Sequence, residues 1–60
     1  MKFSELYRKL EKDGWRIERT GRHHIYSHPI KSGKIPVGKH GNDEVPTGTL
    51  NSILKAAGLK

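Results

Sequence analysis

The chain contains no cysteine, so neither a disulfide nor a thiolate zinc site can staple it. Acidic residues are scarce: six Asp and Glu stand against twelve Lys and Arg, for a net charge of +6. Apolar residues are also few, at 32% of 60 residues, so the core has to be small. No apolar run is long enough to span a bilayer, and no signal-peptide-like segment stands out. The expected location is therefore the cytoplasm, with no membrane partner. There is no repeat, low-complexity tract or linker, and residues 1–60 read as one domain. Ordering a residue costs roughly 1.5 kcal/mol, which nearly cancels what so small a core returns. A marginal monomer, stabilised by a bound partner, is the expectation; a melting temperature indifferent to that partner would contradict it.

The excess charge is spread evenly. Residues 1–30 carry seven basic against four acidic side chains, and residues 31–60 carry five against two, so each half is +3. A basic folded body rather than a basic tail points to a polyanion, nucleic acid or membrane surface.

Periodicity organises the chain. From Lys2 to Asp13, Phe3, Leu6, Tyr7 and Leu10 recur at helical spacing. Ser4 is a candidate cap with Phe3 as the staple before it, and Gly14 ends the helix. The period then becomes two. Trp15 and Ile17 share one face of a strand, Arg16 and Glu18 the other. After a turn at Thr20-Gly21-Arg22, a second strand runs from His23 to His28 and stops at Pro29. Its single aliphatic residue, Ile25, is assigned to the inward face, which places His24, Tyr26 and His28 outward. Lys31-Ser32-Gly33-Lys34 signals a hairpin, and Ile35-Pro36-Val37 a short edge strand. A polar loop, Lys39 to Pro46, leads to a final helix capped by Thr47 or Thr49. Leu50, Ile53, Leu54 and Ala57 form its apolar stripe; Gly58 and Leu59 close it. The order is α-β-β-β-α, an α+β fold with a three-stranded antiparallel sheet and two helices on one face. Double-stranded-RNA-binding domains share that order, which by itself fixes no chemistry.

Four histidines in 60 residues, three of them within His23 to His28, are the unusual feature. A metal site is disfavoured: on a strand, His24 and His28 lie roughly 13 Å apart, too far to share one ion. Acid–base chemistry fits better, because imidazole titrates near pH 6.5. RNA cleavage needs a base for the ribose 2′-hydroxyl and cations for the phosphate. His24, beside the Gly21-Arg22 turn, is the candidate base. Tyr26 is a candidate stacking platform for a base, and Arg22, Lys34 and Lys39 are candidate phosphate contacts. His23 faces the other way and His28 is too distant, so a one-histidine mechanism is expected. The plain alternatives stay open here: a solvated surface histidine, a tyrosine that merely covers the sheet, solvated cations in loops, His40 as a turn residue, and Gly48 as a glycine admitting a tight start to the last helix.

The segment Gly21-Arg22-His23-His24-Ile25-Tyr26 resembles the Gly-Ser-His-His-aromatic/apolar stretch of HicA-like toxins. The run from Ile35-Pro36-Val37-Gly38-Lys39-His40 through Pro46-Thr47-Gly48-Thr49-Leu50, then Ile53-Leu54-Lys55 and Ala57-Gly58-Leu59, resembles that family's closing signature. The opening Lys-Phe-Ser-Glu-Leu and Gly14-Trp15 match as well, so the resemblance spans essentially the whole chain. It implies a double-stranded-RNA-binding-domain-like fold and a metal-free, cofactor-free mRNA endoribonuclease that arrests growth as the toxin of a toxin–antitoxin pair. It also implies a HicB antitoxin that blocks the site, with DNA reached only through that antitoxin. The family's catalytic histidine is the second of the pair and falls on His24; the glycine of its Gly-Thr-Leu motif falls on Gly48, in a structural role. Arg22 departs from the usual serine, which puts substrate preference and rate in question. The rival functions are a non-catalytic RNA-binding module of the same fold and a protein-interaction domain for an acidic partner.

Overall fold

A computed structural model describes all 60 residues. Helix α1 spans Phe3–Lys12, strand β1 Arg16–Thr20, β2 His23–Ser27, β3 Ile35–Gly38 and helix α2 Thr47–Ala56. The α-β-β-β-α order is as expected. The strands form one antiparallel sheet in the order β1-β2-β3, so Pro36 does lie on an edge strand.

Helix α1 buries Phe3, Leu6 and Leu10 and leaves its charged side to water. It starts before Ser4: Phe3 is a buried helical residue, and Lys2 is the N-cap. The orphan N–H groups of its first turn find other acceptors. Lys2 N–H donates to the Glu5 carboxylate at 3.0 Å, Phe3 N–H to Asp43 O at 3.0 Å and Ser4 N–H to Gly41 O at 2.9 Å. The polar loop 39–46 is therefore the cap of α1. Helix α2 has Pro46 as its N-cap, with neither threonine side chain bonding across its start.

Both helices end in the same motif. Gly14 N–H donates to Glu11 O and Trp15 N–H to Leu10 O; Gly58 N–H donates to Lys55 O and Leu59 N–H to Leu54 O. This is the Schellman pairing, with a positive-φ glycine followed by an apolar residue. Gly14 and Gly58 have φ of +107° and +73°. The apolar residues that follow, Trp15 and Leu59, turn back into the protein, Trp15 fully buried and Leu59 half-buried.

One core cluster joins both helices to one face of the sheet: Phe3, Leu6, Leu10, Trp15, Tyr26, Ile35, Val37, Val45, Ile53 and Ala57. It corrects the assignment of faces in β2. Tyr26, expected outward, is fully buried beneath the helices, and Ile25 faces the other way. Cross-strand partners share a face: Tyr26 pairs with Ile35 and His24 with Val37, while Ile25 pairs with the exposed Pro36. An aromatic ring carries more apolar surface than an isoleucine, and Ile35 and Val37 have no other face to occupy. Together they set the parity of β2. Ile17 pairs with Tyr26 on the helix side, as expected, yet remains 45% exposed because β1 is an edge.

Candidate functional site

On β2 and the residue after it, the helix-facing positions are His24, Tyr26 and His28. Tyr26 is the middle one. Its hydroxyl is buried without a hydrogen-bond partner, and desolvation, reinforced by Glu11 and Tyr7, pushes its pKa up to about 12. With no exposed surface, Tyr26 cannot stack on a nucleotide; its role is core packing, which corrects the expectation of an RNA platform.

His28 is locked. Its Nδ1 accepts the N–H groups of Ile30 and Lys31 at 3.0 and 3.1 Å, and its Nε2 lies 2.7 Å from Asp13 O. An Nδ1 that accepts two N–H bonds carries no proton, so Nε2–H is the donor to Asp13 O. The ring also meets Trp15 edge-on at 5.1 Å, with its side chain 7% exposed. Both nitrogens are consumed in tying the end of α1 to the β2–β3 loop. Beside it, Lys31 Nζ bridges the Asp13 carboxylate at 2.6 Å and Ala57 O at 2.9 Å, linking the ends of the two helices. The Lys31 hydrogen bond, with its charge, holds the Asp13 carboxyl below the usual carboxylate range against a smaller opposing desolvation. The Trp15 indole is close to Asp13 but makes no hydrogen bond to it.

His24 sits four residues earlier on the same side, where the helix cover thins. It is half-buried. Tyr7 of α1 meets its ring edge-on, with centroids 5.3 Å apart and planes at 90°. Tyr7 is itself fixed by donating its hydroxyl to Gly38 O. Thr20 Oγ1 lies 3.4 Å from His24 Nδ1, and Nε2 has no protein partner. This corrects the outward placement expected for His24: the ring shares the helix-covered face with Val37 and Tyr26 and stands at its rim with one nitrogen open. His23 lies exposed on the opposite face. His40 opens a turn closed by Asp43 N–H to His40 O at 2.7 Å, as expected, with its ring 5.2 Å from Phe3.

Of the candidate cations, two gather near His24. Arg22 is exposed in the β1–β2 turn, and Lys39 Nζ donates to Gly21 O of that turn at 2.8 Å. Lys34 does not join them. It precedes β3 at the Ser27 end of β2, roughly 10 Å of strand from His24, and its amine is paired with Glu18 at 2.5 Å. Gly48 shows no tight approach: its φ is ordinary, and nothing lies within 4 Å of where a Cβ would be.

Nothing in the sequence pattern marks Tyr7 or Thr20 as a site residue. Tyr7 reads as one more member of a helical apolar stripe. Thr20 reads as a turn residue because the bulge that places it beside His24 leaves no sequence mark. Two surface hollows lie near this histidine without including it. One of about 800 Å³ runs between β3 and α2; the other, about 410 Å³, is lined by Arg19, Thr20, Gly21, Arg22, His23 and Ile25. An open rim beside a cationic turn suits a polymer backbone better than an enclosed small molecule. No helix is long and apolar enough to cross a membrane.

No curated protein matches the chain. Residues 3–59 match the family model described as the HicA toxin of bacterial toxin–antitoxin. That match covers essentially the whole fold, both helices and all three strands, and the chain belongs to the HicA toxin family.

Proposed function

We propose that this toxin is a metal-independent endoribonuclease acting on mRNA, with His24 as the general base. The observation that carries this is the difference in environment among the four histidines. His28 has both nitrogens consumed by backbone, while His23 and His40 are exposed and make no hydrogen bond through their rings. His40 packs on Phe3 with Nδ1 3.8 Å from the Asp43 carboxylate, but its side chain is largely exposed. His24 combines a half-buried ring held by Tyr7 and Thr20 with an open nitrogen, beside the turn that bears Arg22 and that Lys39 bonds through Gly21 O.

In the proposed reaction, Nε2 takes the proton of a ribose 2′-hydroxyl. The freed oxygen attacks the adjacent phosphorus, and the bond from phosphorus to the 5′-oxygen breaks. That oxygen leaves with a proton from water, giving a 2′,3′-cyclic phosphate and a 5′-hydroxyl. Arg22 and Lys39 offset the phosphate charge; Lys34, held by Glu18 at the far end of the strand, contributes at most to binding the flanking chain. The half-buried rim keeps the imidazole desolvated on one side and reachable on the other. One positioned base supplies on the order of 10²–10⁴ in rate, the scale of a slow nuclease. In the cell, a HicB-like antitoxin would cover this rim, and the toxin would meet DNA only as part of that complex.

The test is cleavage of labelled RNA in the presence of EDTA. The native protein is expected to cut, and His24→Ala to lose at least 100-fold in rate with RNA affinity and fold retained and growth arrest abolished. Cleavage by His24→Ala at the native rate would remove the assignment.

A further inference from the structure

We infer that Thr20 is the positioning residue for His24: its hydroxyl accepts from Nδ1–H, which leaves Nε2 as the basic nitrogen. The inference rests on the nuclease role of His24 for its catalytic meaning, but its geometry can be tested without RNA.

The sheet register carries it. Arg16 pairs with Ser27 and Ile17 with Tyr26; the ladder then slips, and Arg19 pairs with Ile25 and Thr20 with His24. Glu18 is the extra residue of a β-bulge, a device that re-aims side chains and is frequent beside functional sites. Regular pairing would set Glu18 opposite Ile25 and Arg19 opposite His24. Partners share a face, so a guanidinium would then stand beside the imidazole. A like charge at that distance disfavours the protonated ring and so opposes the very step a general base performs. The bulge instead sends Arg19 to the outer face with Ile25 and brings an uncharged hydroxyl alongside the ring.

The direction of the bond follows from which nitrogen is open. Nδ1 lies 3.4 Å from Thr20 Oγ1, and Nε2 has no partner. A threonine hydroxyl can donate or accept. Donation to Nδ1 would require the proton on Nε2, the nitrogen that faces the substrate, and the ring could not act there as a base. Acceptance from Nδ1–H leaves the Nε2 lone pair free, and the same bond survives once Nε2 is protonated, since both nitrogens of an imidazolium are donors. Tyr7, edge-on at 5.3 Å and anchored to Gly38 O, keeps the ring from turning away from Thr20.

Nitrogen-15 NMR of the ring, on the free protein at a pH where the ring is neutral, reads the tautomer directly. His24 in the native chain and in Thr20→Ser is expected to carry its proton on Nδ1. In Thr20→Val, which keeps the shape and loses the hydroxyl, the population moves toward Nε2–H, and kcat falls about fivefold, the equivalent of one ordinary hydrogen bond, with KM unchanged. A native His24 protonated on Nε2, or a Thr20→Val ring with the native tautomer, overturns the inference whatever the nuclease assay shows. A tautomer change in Thr20→Val without any fall in kcat also overturns it. Failure of the nuclease role itself is read separately, from cleavage by His24→Ala.

Discussion

Along β2 and the residue that follows it, the same side chain faces the same side of the sheet at two positions four residues apart, with opposite outcomes. At one, His28 spends both ring nitrogens on three backbone groups and is 7% exposed on its side chain. At the other, His24 has one long contact to Thr20, an aromatic neighbour and a free Nε2. The difference is one of hydrogen-bond accounting. A histidine whose lone pair and N–H are both committed is a staple, because changing its proton count breaks bonds that hold two segments together. A histidine with a positioned ring and an uncommitted nitrogen can exchange a proton at little structural cost. Residue type and strand parity do not separate the two; only the partners do.

Exchanging the roles should fail in opposite ways, and this is the largest expected effect. His28→Ala leaves Asp13 O, Ile30 N–H and Lys31 N–H without their partner and removes the ring packed against Trp15. Losing buried partners of this kind costs about 1–3 kcal/mol each where water cannot replace them, and some of these groups reach water. A total of about 2–3 kcal/mol is expected, or roughly 10–20 °C in Tm for a domain of this size, measured by thermal denaturation. His24→Ala should change Tm by a few degrees at most while abolishing cleavage. Comparable Tm losses in both variants would erase the distinction.

The sequence shows helices better than it shows this contrast. Phe3, Leu6 and Leu10 in α1, and Ile53 and Ala57 at the end of α2, declare their buried face by spacing alone. Gly14-Trp15 and Gly58-Leu59 declare how each helix ends. Strand β2 does not declare its face. Ile25 is its single aliphatic residue, and a reading centred on it puts all three alternating residues outside. The choice is settled by the neighbouring strand, through Tyr26 against Ile35 and His24 against Val37, a register that local pattern does not encode. For the same reason the position of His24 in the chain is legible while its surroundings are not. The bulge at Glu18 and the arrival of Thr20 beside the ring depend on pairing, and the contact of Tyr7 on how α1 lies across the sheet.

The staple end also explains one glycine and not another. Gly14 combines φ of +107° with His28 Nε2 2.8 Å from a would-be Cβ, and that ring is locked and cannot yield. Gly14→Ala should cost about 1–3 kcal/mol from backbone strain, with further loss as His28 is displaced. Gly58→Ala meets φ of +73° and Lys31 Nζ at 3.2 Å, an amine that can give by a few tenths of an ångström but is tied to Asp13 and Ala57 O, and about 1–2 kcal/mol is expected. Gly48→Ala, in the first turn of α2 with open space around it, should be neutral or raise stability by about 0.5–1 kcal/mol. Chemical denaturation of the three variants ranks them; a Gly48→Ala loss matching that of Gly14→Ala would contradict the structural distinction.

Acid sensitivity should map to the same end. The Asp13 carboxyl is held down chiefly by the Lys31 hydrogen bond. A lowered folded-state pKa contributes stability that is complete above the ordinary aspartate value near 3.9. It is lost as pH falls through the folded value. The native protein should therefore lose stability in that window. Lys31→Met, less stable throughout because Asp13 and Ala57 O lose their partner, should show a shallower acid decline. Parallel Tm–pH curves for the two proteins from pH 5 downward would show that this pair does not set the acid response.

The smallest expected effect lies between the two histidines. The buried Tyr26 hydroxyl has no hydrogen-bond partner, and its pKa is pushed up to about 12, so the phenol is neutral in the folded protein across the physiological range. A raised folded-state value gives stability that is whole below the unfolded tyrosine pKa near 10 and disappears as pH climbs toward 12. Tyr26→Phe removes an unpaired polar atom and keeps the ring that sets the parity of β2. It should be neutral or stabilising by up to about 1 kcal/mol near pH 7 and should lessen the alkaline loss. It should also leave RNA cleavage intact, because a residue with no exposed surface cannot touch the substrate. A variant that folds as well as the native chain but binds RNA markedly more weakly would mean that Tyr26 reaches the nucleic acid after all. The division of β2 into an open histidine, a core tyrosine and a locked histidine would then have to be redrawn.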